Sequence, residues 1–154
     1  KQNVKDSFWK YLNITCVYGI LKAIFPPILG QYLQKGWLYF HDRLYYISST
    51  EKTWHESKEY CRQQGAELVI INNKEEQDFT RQFNRLTWIG LHDPAMTREW
   101  TWVNGDPLIT RFYLFIPNGY ENNTESCVEI RDFNWNDEPC GNQKFWICEK
   151  DGVF

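Results

Sequence analysis

Between residues 116 and 140 the chain reads IPNGYENNTESC and, after a short interval, FNWNDEPC. Asn118, Glu125, Asn136 and Asp137 bring two amide and two carboxylate groups close to Cys127 and Cys140. Their donors are all oxygens on irregular, turn-rich sequence, the chemistry of a cage for a hard cation such as Ca²⁺, which takes about 6–8 oxygen ligands. Ile116 stands where one more acidic ligand would be convenient. Catalytic chemistry has less support. His41, His55 and His92 fall in separate segments without the spacing of a metal motif such as HExxH, and no G-x-S-x-G occurs. Glu125 and Asp137 could be drawn as a glycosidase pair, but both read better as metal ligands. The expectation is a binding domain and not an enzyme.

The elements that must position these residues are bounded by composition. At 154 residues the chain has room for one domain with a real core. A formal net charge of −3 argues against a nucleic-acid partner, which would require a basic stripe. Aromatic residues make up 18% of the chain, 8 of them tryptophans, more than any pocket needs, so most belong to a core. The five cysteines, Cys16, Cys61, Cys127, Cys140 and Cys148, contain no CxxC pair, which disfavours zinc and thioredoxin-like chemistry. Disulfides in an oxidising compartment are the better expectation. Two sequons, at Asn13 and Asn122, fit the same extracellular setting as glycosylation sites.

Residues 1–33 differ from the remainder. LNITCVYGILKAIFPPILG is apolar but broken by Lys22 and Pro26-Pro27, so it reads as a stalk or juxtamembrane segment, with an altered membrane anchor as the other reading. A domain is expected over 34–154. GWLYFHDRLYYIS alternates large apolar residues about a polar turn, a β-hairpin pattern. Thr53 with Glu56 forms a capping box for a helix that Gly65 stops, and two turns separate Trp54 from Cys61, so Cys61 faces the core. A second helix starts at the N-cap Asn73 with Glu76 at its third position, and Phe79 and Phe83 are expected on its buried face. Strand-like runs follow in TWIGL, EWTWV, SCVEI and KFWICEK. The interval 104–125 is long for a loop in a compact domain, which suggests function. Its Phe112, Tyr113, Phe115 and Tyr120 speak against disorder.

The ordered series TW.ES...C, WIGL, W.W, PN, ESC, WND..C and FWICE resembles the C-type lectin-like domain over roughly residues 36–150. The nearest likeness is to vertebrate asialoglycoprotein-receptor-like and dendritic-cell-type membrane lectins. The resemblance implies a disulfide-stapled α+β double-loop fold with two helices and two small antiparallel sheets. It also implies the pairings Cys61–Cys148 and Cys127–Cys140. Longer members carry a further disulfide across the first hairpin, but no cysteine stands near Leu33 or Leu44 here. Cys16 is left either for an intermolecular stalk disulfide, which would support oligomerisation through the N-terminal segment, or as a buried thiol.

Carried over residue by residue, the resemblance makes Asn118, Glu125, Asn136 and Asp137 both the calcium ligands and the sugar-binding residues. Asp137 can add a backbone oxygen. Pro117 matches a proline that is cis in the family. In such a site two vicinal sugar hydroxyls complete the coordination of Ca²⁺, the amides donating to them and the carboxylates accepting. Asn118 in the last motif position implies a mannose- or fucose-type preference. Ile116 departs from the family's carboxylate and weakens the site, shifts its register or replaces sugar with a protein ligand. Ser126 stands where a second calcium site would need an acid. Trp135 is expected to anchor the cage loop in the core, and Tyr113, Phe115 and Tyr120 either stack on sugar or pack their own loop. The implied function is a calcium-dependent, glycan-binding recognition domain, the ectodomain of a type II membrane protein or a secreted one. A calcium-independent module for a protein ligand is the alternative.

Overall fold

The structure, a computed structural model, describes residues 27–109 and 125–152. Asn13, Cys16, Tyr113, Phe115, Ile116, Pro117, Asn118, Tyr120 and Asn122 lie outside the described residues. The chain divides into two compact units, residues 1–44 with 151–154, and residues 45–150.

In the first unit a helix, α1 (Pro27–Gln34), occupies sequence expected to be stalk. Proline is tolerated at a first helical position because the N–H it lacks has no intrahelical partner there. The helix ends in a Schellman motif. Gly36, at φ +85°, donates its N–H to Leu33, Trp37 donates to Tyr32, and the Tyr32 and Trp37 rings meet edge to face at 5.6 Å. Strands β1 (Leu38–Phe40) and β2 (Arg43–Ile47), the latter running on into the second unit, form the expected hairpin. Its two-residue turn is His41-Asp42, both at positive φ, as the twist of a tight hairpin requires. Tyr39 closes it by donating its hydroxyl proton to Asp42 at 2.6 Å.

The second unit holds the core. Helix α2 (Trp54–Gln63) has the full capping box: Thr53 Oγ1 accepts from the Glu56 N–H, and the Glu56 carboxylate accepts from the Thr53 N–H. Gly65 terminates it at φ +65°, with Gly65 bonded to Arg62 and Ala66 to Cys61. Trp54 and Cys61 are both buried, as their spacing requires. Helix α3 (Lys74–Arg81) is capped by Asn73, whose side chain accepts from the Glu76 N–H. Its buried residues are Glu76, Gln77 and Thr80, while Phe79 is only half-buried and Phe83 lies beyond the helix end. The two rings still meet edge to face at 5.4 Å, because Gln82, Phe83 and Asn84 continue the winding with bonds to Phe79, Thr80 and Arg81.

The strands of this unit are β3 (Glu67–Leu68), β4 (Thr87–His92), β5 (Thr101–Trp102), β6 (Cys127–Arg131), β7 (Asn134–Glu138) and β8 (Phe145–Asp151), whose last residue belongs to the first unit. Their order is β2-β8-β4-β6-β7, with β3 on β8 and β5 on β4. The resemblance implies two small antiparallel sheets; here the strands join into one mixed arrangement because β4 and β8 pair in parallel, Thr87 opposite Phe145 and Trp88 opposite Trp146. A parallel pair needs a long crossover, which the sequence between residues 92 and 145 provides. Buried tryptophans have polar atoms to satisfy as well as area to bury. Trp54 donates from Nε1 to the Ile89 carbonyl at 2.9 Å, and Trp88 to the Lys52 carbonyl at 3.0 Å.

Two disulfides staple the unit in the implied pairing, Cys61 to Cys148 and Cys127 to Cys140. Gly90 lets two backbones come together, since a Cβ there would stand 2.7 Å from the Leu68 carbonyl oxygen and 3.0 Å from that of Val69. Gly90→Ala is therefore expected to destabilise by about 1–3 kcal/mol through overpacking. Urea denaturation would show this as a lowered midpoint, and an unchanged midpoint would contradict the close approach.

Candidate functional site

Of the candidate ligands, Asn136 and Asp137 lie on β7, which pairs with β6. Their register sets Val128 opposite Asp137, Glu129 opposite Asn136, Ile130 opposite Trp135 and Arg131 opposite Asn134. The turn between them, Asp132-Phe133, has φ +47° and +68° without a glycine. Side chains alternate across the pair, so Asn134, Asn136 and Glu138 share a face with Glu129 and Arg131, and Trp135 and Asp137 share the other with Val128 and Ile130. Trp135 is buried and meets Trp102 edge to face at 5.5 Å, the anchoring role expected of it.

Glu125 is half-buried and leads into β6. It stands three positions before Val128, the partner of Asp137, which is roughly 10 Å along extended chain. A shared cation would therefore have to be bridged by side chains reaching toward each other along the sheet edge. Asp93 ties this end together: its N–H donates to the Ser126 carbonyl at 2.8 Å, and its buried carboxylate accepts from the N–H groups of Thr97 and Arg98 at 3.1 and 2.6 Å. The Cys127–Cys140 disulfide secures the same end of β6. Asp137 is 2% exposed. Asn136 and Asp137 are adjacent on one strand, Glu125 stands beyond the end of the pair, and Asn118 is outside the described residues. The donors are all oxygen, which suits Ca²⁺ and not a soft metal. Among the described residues no group of three or more His, Cys, Asp or Glu could hold a metal ion. A cage here therefore depends on amide oxygens beside its two carboxylates.

Sequence reasoning missed the charged ring behind Asn136. Glu129, with no exposed side-chain surface, pairs with Arg131 at 2.6 Å and Lys144 at 3.0 Å. Glu138 pairs with the same two cations at 2.9 and 3.3 Å and accepts from the Asn142 amide at 2.8 Å. Burial pushes the Glu129 carboxyl above its ordinary range against the pull of Lys144 and Arg131. Burial acts the same way on Glu138, but the Asn142 amide, Lys144 and Arg131 together outweigh it and hold that carboxyl low. The available signal was an acid inside the apolar run CVEI with a lysine just before FWIC.

His92, at the end of β4, stacks on Trp54 with centroids 4.7 Å apart. Its Nδ1 lies 2.9 Å from the Thr101 carbonyl, and a carbonyl only accepts, so Nδ1 carries the proton. Burial lowers its pKa, the Thr101 bond and Asp93 oppose this, and Lys58 and His55 reinforce it. The native state thus takes up a proton less readily than the unfolded chain, and stability falls as pH drops through the ordinary histidine range near 6.5 toward the lower native value. Melting curves at pH 7 and pH 5.5 are expected to show a larger loss for the wild type than for His92→Asn, and equal losses would refute the assignment.

The fold and these strands define the class. The chain belongs to the C-type lectin family, whose Lectin C-type domain matches residues 50–150. This is a family of binding domains, not of enzymes. CD209 antigen-like protein A of Mus musculus is 41% identical over 119 residues, which cover 74% of this chain and 50% of that protein. The chain thus spans about half the length of that relative. Among solved structures, the trimeric Kupffer cell C-type lectin receptor Clec4f aligns with a TM-score of 0.75 and 30% identity over 90% of this chain and 97% of that one. The carbohydrate-recognition domain of cow CD23, solved in the presence of a GlcNAc2Man3 oligosaccharide, aligns with a TM-score of 0.68 and 32% identity over 77% of this chain and 95% of that one.

Proposed function

We propose that this chain is a calcium-dependent carbohydrate-recognition domain with a mannose- or fucose-type preference, working outside the cell as part of a membrane receptor or a secreted protein. The observation that carries the reading is the supply of oxygen donors along the β6–β7 pair, with Asn136 and Asp137 on the two faces of β7 and Glu125 leading into β6. Asn118, Glu125, Asn136 and Asp137 would hold the ion. Bound there, Ca²⁺ would supply open coordination positions for two sugar hydroxyls, while this chain's amides donate to those hydroxyls and its carboxylates accept from them. The cow CD23 structure, with its mannose-containing oligosaccharide, supports a glycan as ligand for this fold. The trimeric Clec4f structure supports clustering, which raises the avidity of single sites and for which the segment containing Cys16 is the candidate device. Asn13 and Asn122 are the proposed glycosylation sites.

The test is thermal melting with calcium or with EDTA. At 100 times its dissociation constant a ligand confined to the native state stabilises by about 2.7 kcal/mol. For a domain of this size that corresponds to roughly 5–10 °C. Asp137→Ala is expected to abolish the response. A wild-type curve that does not move at millimolar calcium would overturn this function and favour the protein-binding alternative, which Ile116 in the place of the family's carboxylate would then explain.

A further inference from the structure

Two tyrosines that take no part in the candidate site meet within the second unit. Tyr46 lies in β2 and Tyr60 in the second half of α2, and both are half-buried, so each keeps contact with solvent. Their rings stack with centroids 5.5 Å apart and 30° between planes, and a hydrogen bond joins the two hydroxyls. That bond and burial hold the proton on Tyr60, whose pKa is pushed up to about 12, so Tyr60 is a neutral phenol at physiological pH. Tyr60 also meets the buried Trp146 edge to face at 5.2 Å. Trp146 in turn fixes β8 to the end of β2, donating its N–H to Ser48 Oγ and accepting from the Ser48 N–H. The two phenols are thus held together by ring contact, by a shared proton and by the backbone beneath them. Other tyrosines are placed differently: Tyr39 gives its hydroxyl proton to Asp42, and the Tyr45 ring is fully buried against Phe79.

We propose that Tyr46 and Tyr60 form an oxidative cross-linking site, at which a haem peroxidase using hydrogen peroxide joins β2 to α2 by a carbon–carbon bond. Each phenol gives up one electron and one proton. The two radicals couple through the ring carbons ortho to their oxygens, which stacked rings bonded at those oxygens bring side by side. The hydrogens on the coupled carbons then move to the oxygens and restore both phenols. The protein loses two hydrogen atoms in all, and one hydrogen peroxide becomes two waters. The product would fasten the helix that carries Cys61 to β2, beside the strand β8 that the Cys61–Cys148 disulfide already reaches. Closing the chain between residues 46 and 60 restricts the unfolded ensemble, so the cross-linked domain melts higher. Nothing in this depends on calcium or on a glycan.

The experiment treats the full chain with a haem peroxidase and hydrogen peroxide and reads peptide masses and dityrosine fluorescence. The expected product is lighter by two hydrogens, joins the peptide holding Tyr46 to the peptide holding Tyr60, and still runs as a single chain. Tyr46→Phe and Tyr60→Phe are each expected to abolish it. Both variants keep the stacked ring, and melting before treatment checks that they fold. After treatment the wild type is expected to melt higher than either variant. A wild type in which other tyrosines are oxidised but Tyr46 and Tyr60 are not joined would overturn the proposal, a result that needs no variant. A yield that falls on dilution would also overturn it, by placing the bond between molecules, as would oxidation that ends on Trp146 in place of the cross-link.

Discussion

Replacing Cys61 and Cys148 together by serine is expected to lower the stability of the domain by about 4–5 kcal/mol. The bond joins α2 to β8 across 87 residues of sequence, so its loss returns a large loop-closure entropy to the unfolded chain. The same pair of changes at Cys127 and Cys140, 13 apart, is expected to cost about 3 kcal/mol. Urea unfolding of the two double variants measures the difference directly. The order matters more than either value, and a larger loss from the shorter loop would mean that native packing at Cys127–Cys140, not chain entropy, dominates. That result would also tie the candidate site more closely to global stability, since this disulfide fastens the end of β6 that follows Glu125.

The second large effect is expected at Lys144. Its ammonium is buried beside Glu129, and Lys144→Ala would leave that carboxylate deep in the sheet with only Arg131 for company. Breaking a buried pair from one side costs about 3–5 kcal/mol. Arg131→Ala is expected to cost far less, because the arginine side chain is 40% exposed and solvent screens its contribution. The double variant Glu129→Met with Lys144→Met should recover most of the loss, since an apolar pair of similar volume needs no compensation. The deficit of Lys144→Ala also carries a sign with pH. The native Glu129 carboxyl already binds its proton more readily than the unfolded chain, and removing Lys144 strengthens that tendency. Stability of the variant therefore falls as pH rises through the window between the ordinary carboxylate value and the raised native one, and the deficit is smaller at pH 4 than at pH 7. A deficit independent of pH would show that lost packing of the lysine stem, not the stranded carboxylate, is responsible.

Much of this arrangement is legible in the chain, and the legible part is local. Thr53, Glu56 and Gly65 specify both ends of α2 because a capping box and a left-handed glycine act within one helical turn. Asn73 does the same for the start of α3. Trp54 and Cys61 could be assigned to the core from helical spacing alone. The disulfide pairing came through the family likeness, since four cysteines by themselves admit three connectivities. The β6–β7 hairpin was not legible as a hairpin. Its turn, Asp132-Phe133, lacks the glycine that marks such turns, and a pair of non-glycine residues at positive φ is tolerated only where the flanking strands hold it.

The sequence by itself determined both ends of α2, the start of α3 and much of the aromatic core, because each follows from the types of residues near one another along the chain. Only the tertiary structure decided that β4 and β8 pair in parallel, since that contact joins residues more than fifty apart and no local pattern encodes it. Likewise, Glu129 and Lys144 read separately as an acid in a strand and a lysine before one. Sheet register brings them together, and with Arg131 and Glu138 they close around the Asn136 amide. An amide's orientation is set by which acceptors surround it in space, and those acceptors come from both strands of the pair.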